Sequence, residues 1–206
     1  MKKLFTPRWL LAELTGLLFA AYAAYNVFII FRDIKGLPPE GILISSIVAL
    51  MFVILAVFMW TAGIKGKKHI LFMMLRRGAL IVALLVIFAL KIRLVDRVIA
   101  YLDFSKFYTV LYGGAYFLTL AALLILLVYY IFILKNLPFY PEAAMALPVS
   151  AIILFLLCLI LEAIMFFAYG IGLEANTIRT VVMRPVFYLG FVGLSLHFLY
   201  PLPIAK

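Results

Sequence analysis

Long apolar runs, separated by short polar stretches, dominate the chain. A membrane-crossing helix needs about 20 mainly apolar residues. Trp9 to Phe31 meets that length, and so does Gly41 to Ile64, which carries no charge. Phe107 to Leu134 is long enough to tilt, Leu147 to Tyr169 contains one carboxylate, and Val181 to Tyr200 has an arginine near its start. The third run, Gly78 to Leu90, is cleanly apolar over only 13 residues. It crosses only if Lys91 and Arg93, or Arg76 and Arg77, lay their methylene stems along the span and reach an interface with their charges. A re-entrant third segment would instead move every later element to the other side. The pattern predicts an all-α, polytopic transmembrane helix bundle of about six spans, at 9–31, 41–64, 78–95, 107–134, 147–169 and 181–200, within one membrane domain over 1–206.

After the third run the period changes. Leu94, Val95, Val98, Ile99 and Leu102 recur at helical spacing, with Arg93, Asp96, Arg97 and Asp103 on the opposite face. This predicts a short amphipathic segment that lies in the headgroup layer or extends the third helix. Prolines punctuate the rest: Pro38 and Pro39 between spans one and two, Pro138 and Pro141 between four and five, Pro201 and Pro203 after the last. Trp9, Trp60, Tyr108, Tyr169 and Tyr200 fall near span ends, as interfacial aromatics do.

Composition agrees with lipid as the solvent. Of 206 residues, 69% are hydrophobic and 13% charged, whereas a soluble domain is about a quarter charged. The net charge of +10 comes from basic residues lying between apolar runs, with none of the loop chemistry of a nucleic-acid groove. Lys65, Lys67, Lys68, Arg76 and Arg77 form the densest cluster and are expected to contact anionic lipid headgroups. That cluster favours a cytoplasmic N-terminus in the cell membrane, although the basic residues divide between the two sides almost evenly. The charged start followed by apolar residues is shared with signal peptides, with a small-residue site at Ala21-Tyr22-Ala23. Glu13 interrupts such a core, and the apolar run continues to Phe31, so a retained first span is expected. Cys158 is the single cysteine and has no partner for an intramolecular disulfide. No Walker loop, His-Glu-x-x-His or Cys-His cluster occurs, and no cofactor or metal is expected.

The two halves share a faint likeness. Lys35-Gly36-Leu37-Pro38 with Pro39-Glu40 parallels Lys135-Asn136-Leu137-Pro138 with Pro141-Glu142. Gly63-Ile64 and Gly170-Ile171, and Arg77 and Arg184, share an offset of 107 residues. A three-plus-three repeat would place the second copy inverted, a plan found in transporters with a site near the midplane. Chance similarity between apolar helices joined by proline turns is the competing explanation.

Few residues in the spans carry chemistry. Glu162 lies roughly 6 Å from the middle of span five at 1.5 Å rise per residue. A carboxylate at that depth is costly and is by default a functional candidate. It serves either a proton, cation or substrate site, or helix packing as a protonated or ion-paired group. Ala151, Phe155, Cys158, Glu162 and Tyr169 lie on one stripe, which is expected to face the bundle. Spans five and six form a hairpin, so Arg184 enters from the same side as Glu162 and is expected to pair with it or share a polar pocket. His197 shares a face with Gly190 and Gly193 and is a further binding candidate, although its depth separates it from Glu162. Ser195 and His197, two apart on one helix, diverge and cannot form a catalytic pair. The small residues Gly16, Ala20 and Ala24 continue the stripe of Glu13 and are expected to pack helices closely, as are Gly190 and Gly193. Asn26 is placed to add a hydrogen bond between helices.

Three function classes follow. One is a small-solute or ion transporter using Glu162 within the membrane. The second is a non-catalytic accessory or assembly subunit, its helices packing on a membrane partner or on a second copy of the chain. The third, an enzyme on a lipid substrate, lacks an acid–base constellation.

Overall fold

The computed structural model describes residues 7–33, 36, 38–61, 70–133, 141–169 and 182–199, and among these there is helix and no strand. Seven α-helices follow in order: α1 Pro7–Asp33, α2 Pro39–Thr61, α3 Ile70–Ile92, α4 Val95–Tyr101, α5 Phe107–Val128, α6 Pro141–Tyr169 and α7 Arg184–Leu199. Among the described residues, five helical stretches are long and apolar enough to cross a membrane: Trp9–Arg32, Pro39–Thr61, Met74–Tyr101, Phe107–Phe132 and Ala144–Ala168. The apolar α7 adds a sixth element of 16 residues. The chain is a polytopic membrane helix bundle. Hydrogen bonding explains the uniformity, because in hydrocarbon a helix satisfies its own backbone.

The chain divides into two compact units, Met1–Ile87 and Phe88–Lys206. In the first, α1 and α2 pack as an antiparallel pair. Gly16 lies against Trp60, while Phe19 and Tyr22 meet Phe52 with ring centroids 5.8 and 4.4 Å apart. A methyl group on Gly16 would overlap the Trp60 indole. Such close approach is the means by which membrane helices gain dispersion contact where lipid is as apolar as leucine. The buried stripe of α1 is Ala12, Thr15, Gly16, Phe19 and Ala23. It is rotated from the expected one, so that Ala20 is half-buried and Ala24 is exposed. Asn26 also departs from expectation, because its amide donates to the Tyr22 carbonyl of its own helix at 2.8 Å. The carbonyl four residues back is the acceptor nearest to such a side chain.

The third span is longer than the sequence pattern implies. α3 starts at Ile70, eight residues before Gly78, and runs through the arginine pair. Arg77 is exposed, whereas the Arg76 guanidinium sits 4.3 Å from the Phe58 ring centroid. Arginine keeps its helix propensity when hydropathy gives out, so the apolar window marks only part of the helix.

In the second unit, α4 follows α3 after a two-residue turn at Arg93 and Leu94. It is the amphipathic segment, with Val98 buried and Asp96 and Arg97 exposed, while Leu94 and Ile99 are also exposed. Asp103 shapes the corner into α5. Its carboxylate accepts from the Ser105 hydroxyl at 2.6 Å and the Ser105 amide at 3.0 Å, and pairs with Lys106 at 3.3 Å. Thr109 Oγ1 closes the corner, donating to the Asp103 carbonyl at 2.7 Å and accepting from its amide at 3.0 Å.

α5 and α6 run antiparallel, with Cys158 beside Thr119 and Leu161 beside Gly114. α7 returns against α6, stacking Phe191 on Phe155 at 5.3 Å. α5 ends in a π-helical turn, Tyr129–Ile133, where Tyr129 packs on Phe198 at 5.4 Å and its hydroxyl donates to the Phe198 carbonyl at 3.4 Å. α6 begins at Pro141, ahead of the predicted start of span five at Leu147, and carries Pro148 in its interior. Proline is tolerated in such helices because neighbouring groups satisfy the freed carbonyl.

Most residues behind the proposed duplication, including Lys35, Gly63-Ile64, Lys135 to Pro138 and Gly170-Ile171, lie outside the described residues.

A cavity floored by the Glu162–Arg184 pair

Three elements of the second unit bring charge to one place. Glu162 stands on the inner face of α6, in the stripe of Ala151, Phe155 and Cys158, all buried. Arg184 is the first residue of α7, at the end of that helix nearest the end of α6. Tyr108, Tyr112 and Tyr116 occupy successive turns of α5, four residues apart, and so share one face.

Arg184 Nη1 donates to Glu162 Oε2 at 2.7 Å. The Tyr188 hydroxyl, one turn along α7, donates to the other oxygen, Oε1, at 3.4 Å. The side chains retain 8% exposure for Glu162 and 32% for Arg184. The guanidinium also lies 5.5 Å from the centroid of the Tyr112 ring. Burying a carboxylate alone costs several kcal/mol even after relaxation, on the order-of-magnitude scale for ions moved out of water. A charged hydrogen bond, a phenol and a cation over a ring offset that cost here.

The pair does not close on itself. It forms part of the wall of a cavity of about 440 Å³, together with Leu94, Arg97, Val98 and Tyr101 of the α3–α4 segment, Tyr108, Tyr112 and Tyr116 of α5, and Met165 of α6. Leu94, Arg97 and Tyr101 are exposed, so the cavity reaches the surface beside α4. Glu162 lies seven residues from the end of α6, hence roughly 10 Å below it at helical rise. Next to this wall, Lys91 is held at 5.2 Å from the Tyr116 ring and 5.3 Å from that of Phe187, while the Tyr116 hydroxyl donates to the Lys91 carbonyl. Lys91 therefore finds aromatic faces within its own unit, where the sequence suggested only an interfacial cation.

The structure brings Glu162 and Arg184 together and leaves His197 apart from them. His197 is buried, at 6% exposure, late in α7 beside Phe198, and does not line the cavity. Gly190 and Gly193 are buried on α7. Lys65, Lys67 and Lys68 lie outside the described residues. Sequence reasoning missed Arg97 and the tyrosine face as parts of the site. The spacing of Tyr108, Tyr112 and Tyr116 was the available signal, but Tyr108 near the span end reads by itself as an interfacial aromatic. No group of three or more metal-ligating side chains occurs among the described residues. Comparison with family models, with curated proteins and with solved structures finds no match.

Proposed function

We propose that this chain is a small-solute transporter of the cell membrane, and that the cavity over Glu162 and Arg184 is its solute site. One observation carries the reading. A carboxylate roughly 10 Å in from the end of α6, paired with an arginine at the start of α7, opens on a cavity of about 440 Å³, where a purely structural pair would be sealed by packing. Solute sites have volumes of roughly 300–1,000 Å³, apolar walls and a few convergent polar groups. Intramembrane ionisable residues commonly mark solute and ion pathways. A pair of this kind can rearrange when a solute competes for Arg184 or when Glu162 exchanges a proton, which supplies two states for a transport cycle. The accessory-subunit reading draws less support, because Gly16, the residue best suited to receive a partner helix, is already packed against Trp60.

The test is flux in proteoliposomes. Purified protein would be challenged with classes of organic anions, amino acids, sugars and inorganic cations, and charge movement or tracer uptake recorded. Wild type is expected to move at least one class, and Glu162→Gln to lose turnover while keeping its helical signal and monodispersity. Absence of flux for every class from well-folded wild type would overturn the transport reading.

A further inference from the structure

We infer that the cavity takes an amphiphilic organic anion, with its carboxylate or phosphate head between Arg97 and Arg184 and its apolar part against the tyrosine rings. The inference rests on the cavity being a solute site and adds the class of solute.

Charge comes first. The described lining carries two guanidinium groups, Arg97 and Arg184, against one carboxylate, Glu162. Both oxygens of that carboxylate are engaged, by Arg184 at 2.7 Å and by Tyr188 at 3.4 Å. What remains open is weighted towards donors: guanidinium N–H groups, beside tyrosine hydroxyls that donate or accept. A guanidinium has five N–H groups, and Arg184 gives one nitrogen to Glu162. No described residue pairs with Arg97. Tyr101 and Tyr112 also line the cavity, and these two residues meet only ring edge to ring at 5.5 Å. A wall with two guanidinium groups, and its one carboxylate paired with one of them, suits a ligand that accepts and carries negative charge. A cation would meet net positive charge, with the one carboxylate of the described lining already paired with Arg184.

Shape and polarity come second. The volume, about 440 Å³, is far larger than an inorganic anion needs. Leu94, Val98 and Met165 share the wall with the tyrosine rings, so most of a filling ligand would touch apolar surface. Planar guanidinium forks match carboxylate and phosphate oxygens geometrically. The same chemistry is offered by a free organic anion and by the headgroup of an anionic lipid.

Thermal unfolding in phosphatidylcholine nanodiscs tests the assignment. Soluble probes are 4-phenylbutyrate and phenyl phosphate, with 4-phenylbutylamine, 4-phenylbutanol and inorganic phosphate as contrasts. A second arm adds phosphatidylglycerol to the nanodisc. The soluble anions are expected to raise Tm with concentration, and the contrasts to do so much less. Arg97→Gln, a change at an exposed position, is expected to weaken the effect about tenfold or more, as loss of a charged hydrogen bond does. Glu162→Gln is expected to bind the anion at least as tightly, because it frees Arg184. A rise confined to the phosphatidylglycerol arm and dependent on Arg97 would support the inference with lipid as the source. The inference is overturned if the amine or inorganic phosphate stabilises as well as the organic anions. It also falls if Arg97→Gln behaves as wild type, if Glu162→Gln abolishes binding, or if no probe or lipid has an effect. Anion binding without flux would remove the transport reading and leave this one standing. Flux of a neutral or cationic solute without anion binding would do the reverse.

Discussion

At the scale of single residues, Glu162 and Arg184 form an ion pair in the interior of the second unit. Each charge is tolerable because of the other, so removing one leaves an uncompensated ion. Glu162→Leu or Arg184→Leu is therefore expected to destabilise by about 3–5 kcal/mol, while the double substitution recovers most of the loss. A double-mutant cycle on thermal or denaturant unfolding in detergent measures this. Two independent, additive losses would mean that the pair at 2.7 Å carries little coupling. This pairing was legible before the structure, because depth along two adjoining antiparallel spans is arithmetic on the sequence. Arg97 was not legible in the same way. Its place in the cavity depends on the turn at Arg93 and Leu94 that aims α4, and hydropathy does not encode that turn. Asn26 misled for a related reason, since a polar side chain in a helix has its own backbone as the nearest competitor for any partner across the interface.

At the scale of elements, the helices were visible because lipid demands a minimum apolar length, and their ends were less so. Arg76 and Arg77 cut the apolar window without ending α3, and α6 begins at Pro141, ahead of the apolar run that opens at Leu147. The register of α1 on α2 was also partly hidden. Gly16 was identified as a contact, but the stripe turns toward Ala23 and leaves Ala24 exposed. Gly16→Ala is expected to destabilise the protein by about 1–3 kcal/mol, the usual cost of overpacking, because the obstacle is a rigid indole. Trp60→Ala should suppress that cost in the double variant, and equal losses in both backgrounds would show that the contact does not limit the packing. The corner before α5 has its own pH dependence. Bonds from the Ser105 hydroxyl and amide, then from Lys106, hold the Asp103 carboxyl below its ordinary value. Its stabilising contribution is therefore complete above the unfolded value of ~3.9 and is lost as pH falls through the lower folded one. Hydrogen exchange of the Ser105 amide should stay protected down to that range and lose protection below it. Asp103→Asn should abolish the transition, and the same transition in that variant would place its origin elsewhere.

At the scale of the whole molecule, the order of spans has a topological consequence. A cytoplasmic N-terminus, which the basic cluster favours, followed by three crossings would put the α4–α5 corner on the outer face. Cys158 is buried, so the natural chain offers a quiet background for labelling. Ser105→Cys is expected to react with a membrane-impermeant maleimide added to intact cells, and reaction only after lysis would reverse the orientation. The charge count could not decide this, because basic residues are shared between both sides.

The claim on which the rest depends is that the space above Glu162 and Arg184 is an open, positively biased site rather than a gap in packing. It can be tested without knowing the solute. In a Cys158→Ala background, Tyr112→Cys would be exposed to two small thiol reagents of opposite charge, a sulfonate and a trimethylammonium methanethiosulfonate, and the two rates compared after correction for their rates with a free thiol. Both reagents are expected to reach the introduced thiol and the anionic one to react faster, with the preference reduced in Arg97→Gln. An introduced thiol that stays unreactive, or that prefers the cationic reagent, would contradict the claim.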